Sequence, residues 1–253
     1  MISGGSIHYV EEFHLLFLAQ LNQKLNRKHY ALKGGCNMRF FFRSPRYSED
    51  IDFDAIGIET HQLQDRIGEI FKSKGFMQIL EARKLSIENL REHKQTETTQ
   101  RWKMSIHTPF SEIPLPTKIE FSKRGTGEEL IFESIDPEIG AKHQMPPLLI
   151  NHYPPETAML QKTSAIISRS TVQARDIFDL HLLIQRGVKP ANIRIKFTEE
   201  QLEIAEKNIM LVDFKLFQSQ VLGYLTPEYQ GQYDDESAWD DIRLKSVEFL
   251  KGS

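Results

Sequence analysis

The hydrophobic rhythm of the chain changes near its middle. Phe13, Leu16, Phe17, Leu21 and Leu25 recur at helical spacing and predict a helix over 9–28. His29–Lys33 reads as a short strand ending at Gly34-Gly35, and Cys36–Arg43 as a helix broken at Ser44-Pro45. Tyr47–Ala55 alternates and reads as a strand, with Ser48, Asp50, Asp52 and Asp54 on one face and Glu49, Ile51, Phe53 and Ala55 on the other. Thr60–Lys74 is amphipathic and closes at Gly75. Strands are expected over 76–90 and 101–108, with Glu92–Gln100 as the hairpin loop between them. Lys118–Lys123 alternates again, with Lys118, Glu120 and Ser122 opposite Ile119 and Phe121.

Residues 136–155 hold five prolines and little periodicity, so they read as a connection. Beyond Glu156 the helical period dominates, over about 156–168, 172–186, 198–209 and 212–224, with a last helix at 236–251. The pattern is an α/β N-terminal half followed by an all-helical C-terminal half. No internal repeat is present.

Composition narrows the class. Apolar residues make up 40% and charged residues 26% of 253, the balance of a soluble globular protein. A single cysteine, Cys36, excludes an internal disulfide framework and a multi-cysteine zinc site. No apolar run is long enough for a membrane span or a secretory signal, so a cytoplasmic protein is expected. The net charge of −3 hides a pattern. Residues 24–46 hold seven basic residues and no acid; residues 162–196 hold seven basic residues against Asp176 and Asp179. Two basic stretches beside an acidic cluster suit a polyanion together with cations.

Three features carry candidate chemistry. Gly34-Gly35, between a strand and a helix, lets backbone amides approach a phosphate at a helix N-terminus. Asp50 and Asp52, two apart on a strand, project the same way and lie ~6.5–7 Å apart along it. They repel unless a cation sits between them, and magnesium prefers carboxylate and phosphate oxygens. Glu120 has buried-looking neighbours and faces the other side of its strand. If that strand lies beside 47–55, three carboxylates converge, as two-metal phosphoryl or nucleotidyl transfer requires. Further on, Arg175 and Asp179 are four apart in an expected helix and can pair along one helical face.

The segment Lys33-Gly-Gly-Cys-Asn-Met-Arg-Phe-Phe-Phe-Arg-Ser-Pro-Arg-Tyr-Ser-Glu-Asp-Ile-Asp-Phe resembles the first motif of the AbiEii/AbiGii nucleotidyltransferases, toxins of bacterial type IV toxin–antitoxin and abortive-infection systems. The family pattern of a glycine turn, an Arg-rich spacer and Ser-X-Asp-hydrophobic-Asp-Phe falls on Gly34, Gly35, Arg39, Arg46, Ser48, Asp50, Asp52 and Phe53. Downstream, the run from Lys162 to Arg175-Asp-Ile-Phe-Asp-Leu resembles the family's later motifs. The resemblance implies an α/β (α+β) nucleotidyltransferase domain with a mixed sheet and flanking helices over 1–152, of the DNA polymerase β type, then an all-helical domain over 153–253. It implies transfer of NMP from an NTP to an acceptor hydroxyl, with Mg²⁺ or Mn²⁺ on Asp50, Asp52 and Glu120. Lys162 and Asp176 join the catalytic set. Gly34, Gly35, Arg39, Ser48, Lys162 and Arg175 hold the nucleotide. The acceptor implied is RNA, with a tRNA 3′ end foremost, and a cognate antitoxin is a further partner. Two positions depart from the pattern: Cys36 stands where Thr or Ser is common, and Glu120 where relatives often carry Asp. A non-catalytic nucleotide-binding regulator and an antibiotic-modifying nucleotidyltransferase remain alternatives.

Overall fold

The structure, a computed structural model, describes residues 6–123 and 129–252. The chain divides into two compact units, one formed by residues up to 43 with 47–153, the other by 44–46 with 154 onward.

The first unit opens with α1 (Ile7–Lys24), β1 (Tyr30–Lys33) and α2 (Gly34–Phe42). β2 (Ile51–Ala55), α3 (Thr60–Phe71) and α4 (Lys74–Ala82) follow, then three longer strands, β3 (Ser86–Gln95), β4 (Thr99–Thr108) and β5 (Ser111–Ser122). β6 (Ile131–Ser134), α5 (Pro137–Lys142) and β7 (Leu149–His152) complete it. The strands form one mixed sheet of order β3-β4-β5-β2-β1-β7-β6, in which β2–β5 and β1–β7 pair in parallel. One sheet face is apolar. Phe53 stacks on Phe121 at 4.6 Å, Trp102 meets Phe121 edge-on at 6.3 Å, and Phe13 and Phe17 of α1 close over them. Each such buried ring contributes about 2–3 kcal/mol of transfer free energy. This layer forces the alternate residues of β2 and β5, the acidic ones, onto the opposite face.

The second unit is helical: α6 (Pro155–Ser168), α7 (Ala174–Gln185), α8 (Pro190–Arg194), α9 (Glu199–Met210), α10 (Phe214–Gln220), α11 (Pro227–Tyr233) and α12 (Glu236–Lys251). Its core includes Phe178, Phe217 and Trp239, with Phe217 stacked on Trp239 at 4.5 Å and the indole N–H donating to the Val212 carbonyl. The short excursion Ser44–Arg46 is sewn into this unit. Arg46 bridges to Leu225, and the Thr226 N–H donates to the Pro45 carbonyl at 2.9 Å.

Several local expectations change: the strand expected over 47–55 begins only at Ile51, and the helix expected over 212–224 shortens to Phe214–Gln220. Residues 76–82 are helical rather than extended, because Phe76 and Leu80 bury one helical turn apart and the Ser73 hydroxyl caps the Phe76 N–H. The strands on either side of the expected 92–100 loop run on, so the turn shrinks to residues 96–98. The proline-rich 136–155 segment is more than a connection. Asp136 caps α5 with Pro137 at its first position, and β7 pairs with both β1 and β6.

Candidate active site

The parallel pairing of β2 with β5 sets Asp52 opposite Glu120, with Ile51 opposite Ile119 and Asp54 opposite Ser122. Asp50 stands two residues before Asp52, just ahead of β2. Its backbone is pinned from several sides. The Ser48 hydroxyl donates to the Asp50 carbonyl at 2.8 Å, and the Cys36 thiol to the same oxygen at 3.3 Å. The Thr117 hydroxyl donates to the Glu49 carbonyl at 2.7 Å and lies 2.8 Å from His14 Nε2. Ser48 and Cys36 therefore shape the turn into β2. Burial, reinforced by the charge of Asp52, pushes the Cys36 thiol well up, and burial brings His14 down to about 3, so both are neutral.

Lys118 sits at the centre of the acidic face. Its ammonium is 2.9 Å from Asp50 Oδ2, 3.4 Å from Asp52 Oδ1 and 4.0 Å from Glu120 Oε2. Its backbone N–H also donates to Asp50 Oδ1 at 3.1 Å. Arg101 Nε holds Glu120 at 2.6 Å. Burial raises the Asp50 pKa, with Lys118 offsetting part of the rise and Asp52 adding to it. Burial works against the Lys118 ammonium, but Asp52, Asp50 and Glu120 outweigh it and hold its pKa above the ordinary lysine value. Among the described residues, no three His, Cys, Asp or Glu side chains stand arranged to hold a metal ion. The carboxylates are drawn instead onto an ammonium that already takes a cation's place. In donor chemistry the set fits a hard divalent ion, being all carboxylate oxygen gathered about one cationic atom.

Gly34 borders the same face. Its φ is +69°, and a Cβ there would lie 3.1 Å from Asp52 Oδ2. The positive φ favours glycine, and a Cβ there would also crowd the Asp52 carboxylate. Gly34→Ala is expected to cost about 1–2 kcal/mol of stability and to displace Asp52. An unchanged urea midpoint for a folded Gly34→Ala protein would contradict this reading of the turn.

The fourth acid of the row has its own partners. Asp54 is buried and accepts from Lys33, from the Ser122 hydroxyl at 2.7 Å and from the Tyr153 hydroxyl at 2.8 Å. It ties β1, β2 and β5 together beside the site.

Arg39 lies in a buried network. Its Nε is 2.6 Å from Glu11 Oε2, its guanidinium stacks over Tyr47, and His143 Nε2 lies 2.9 Å from Glu11 Oε1. Burial pushes the Glu11 pKa up, but His143 and Arg39 outweigh it and bring it to about 2. Because the folded value lies below the unfolded 4.5, this group stabilises the fold above pH 4.5, and the contribution is lost as pH falls towards about 2. Glu11→Gln is expected to cost about 3 kcal/mol at neutral pH, since Arg39 is left buried without its counter-charge. It should also flatten the stability–pH curve between pH 4.5 and 2, read by urea unfolding; an unchanged acid limb would contradict it.

In the helical unit, Lys162 is buried between two carboxylates, 2.9 Å from Asp176 Oδ1 and 2.5 Å from Asp179 Oδ2. Arg169 holds the other oxygen of Asp176 at 2.6 Å, and Arg46 reaches Asp179 at 3.2 Å. Burial raises the Asp176 pKa, but Lys162 and Arg169 more than reverse this. Asp179 is thus taken by Lys162 and Arg46 rather than by Arg175, its neighbour on the helix.

Lys118 and Arg101 were not singled out from the sequence. The signal for Lys118 was present, because it stands two residues before Glu120 on the same strand face.

Two crystal structures from Helicobacter pylori share this fold. One is of JHP933, at 16% identity and a TM-score of 0.58 over 99% of this chain and 95% of that one. The other, described as a candidate nucleotidyltransferase, has 17% identity and a TM-score of 0.59 over 99% and 96%. No curated protein matches the chain. The family model for the nucleotidyl transferase AbiEii toxin of type IV toxin–antitoxin systems matches residues 16–240. The chain therefore belongs to the AbiEii family of nucleotidyltransferase toxins.

Proposed function

We propose that the chain transfers a nucleoside monophosphate from an NTP to an acceptor hydroxyl, with release of pyrophosphate. The observation that carries this reading is the convergence of Asp50, Asp52 and Glu120 within 4.0 Å of one cationic atom on the partly exposed acidic face beside β2 and β5. Asp50 and Asp52 would hold Mg²⁺ or Mn²⁺, and Glu120 would complete the set. Such ions, when bound, stabilise charge on the phosphoryl oxygens and lower the pKa of a coordinated hydroxyl. The N-terminus of α2 at Gly34 and Gly35 offers backbone N–H groups and a favourable dipole to the triphosphate. The family resemblance extends the proposal to Lys162 and Arg175 as nucleotide-binding residues. The 2.9 Å contact with Asp176 supports that carboxylate as the group orienting Lys162.

Membership in a type IV toxin family implies a cognate antitoxin and an NTP substrate. RNA is the acceptor the family resemblance suggests, a tRNA 3′ end foremost; the basic run over 24–46 adds little to this, because Lys33, Arg39, Arg43 and Arg46 pair with Asp54, Glu11, Asp136 and Asp179. Among the described residues, no helix is long and apolar enough to cross a membrane.

The test uses NTPs labelled at the α- or the γ-phosphate, with Mg²⁺ and total tRNA. Label should move to RNA from the α-position only, and chelation of the metal should stop it. Nucleotide binding without transfer to any acceptor would favour a regulator instead.

A further inference from the structure

We propose that the Lys118 ammonium is a resident counter-cation: it neutralises Asp50, Asp52 and Glu120 when no divalent ion is bound, and competes with that ion for the same oxygens. The inference rests on the metal-site reading above. Its ground is geometric, because one ammonium touches two of the three proposed ligands and stands 4.0 Å from the third. Lysine suits the part. Its charge is a point on a flexible four-carbon stem, so it can withdraw without moving the strand. Asp50 keeps its bond to the Lys118 backbone N–H when the ammonium leaves, and Glu120 keeps Arg101. Asp50 and Glu120 thus keep an anchor through the exchange. The ammonium removes the repulsion that three acids on one face would otherwise suffer, and it sets a threshold for the divalent ion to overcome.

Mn²⁺ binding, followed by electron paramagnetic resonance on the full chain, reads this directly and without turnover. Lys118→Met keeps the stem and removes the charge, and Lys118→Gln gives the same comparison if the methionine variant does not fold. The expected result is Mn²⁺ affinity tighter by on the order of tenfold in the variant. Thermal stability in chelator should fall, and Mn²⁺ should restore it by a larger shift than in the wild type. Asp52→Asn added to Lys118→Met should remove the tight binding. Affinity equal to the wild type, or weaker, would overturn the competition while leaving the metal site standing. Mn²⁺ binding that is absent from both proteins, or indifferent to Asp52→Asn, would overturn the site reading and this inference together.

Discussion

Asp52→Asn is expected to abolish nucleotidyl transfer, by on the order of 10²–10³-fold or more. Asp52 lies on the strand face opposite Phe53, against the Gly34 backbone and 3.4 Å from the Lys118 ammonium. The amide is nearly isosteric, so packing against Gly34 survives. What is lost is a negative charge and an anionic oxygen at the point where the proposed ion binds. Stability should change little, by about 0.5–1 kcal/mol, because the pair with Lys118 is partly exposed and Asp50 is relieved of a like-charged neighbour. Transfer assays beside urea unfolding separate the two effects. Activity within a few-fold of wild type would remove Asp52 from the mechanism.

The second large effect is expected on folding. Lys162→Ala leaves Asp176 and Asp179, both nearly inaccessible to water, short of one cation. Breaking a buried ion cluster costs about 3–5 kcal/mol, and the surviving contacts from Arg169 and Arg46 put the loss near the lower value. The measurement is the urea midpoint of the variant. An unchanged midpoint would mean that the cluster does not support the helical unit. Lys162→Arg supplies the functional comparison, since it keeps the charge in a different shape. Reduced transfer by a fully stable Lys162→Arg protein would point to a part for the ammonium beyond its ion pairs.

Much of the acidic face was legible from alternation alone. Phe53 and Phe121 must enter the core, so Asp52 and Glu120 must leave it, and period-2 spacing states this without a structure. The shared alternation made the pairing of β2 with β5 an expectation, which the observed register meets by bringing Asp52 opposite Glu120. Alternation gives a face but not the contacts made on it. It placed Lys118 beside Glu120 without showing that the ammonium would gather three acids. Gly75 read as a helix stop hid α4, although Phe76 and Leu80 carry the helical interval. Arg39 and Ser48 read as nucleotide contacts because they fall in a motif. Their bonds to Glu11 and to the Asp50 carbonyl depend on α1 and on a local turn, which the motif does not encode. The pairing of Arg46 with Asp179 spans most of the chain, and no local pattern links them.

The most direct test of the account is where a divalent ion binds. Crystals grown with Mn²⁺ and a non-hydrolysable NTP, measured for manganese anomalous scattering, locate it without reference to activity. The expected result is a peak within about 2.1–2.3 Å of oxygens from both Asp50 and Asp52, with the Lys118 ammonium withdrawn from them. Manganese bound elsewhere, with Lys118 still seated between Asp50 and Asp52, would contradict it.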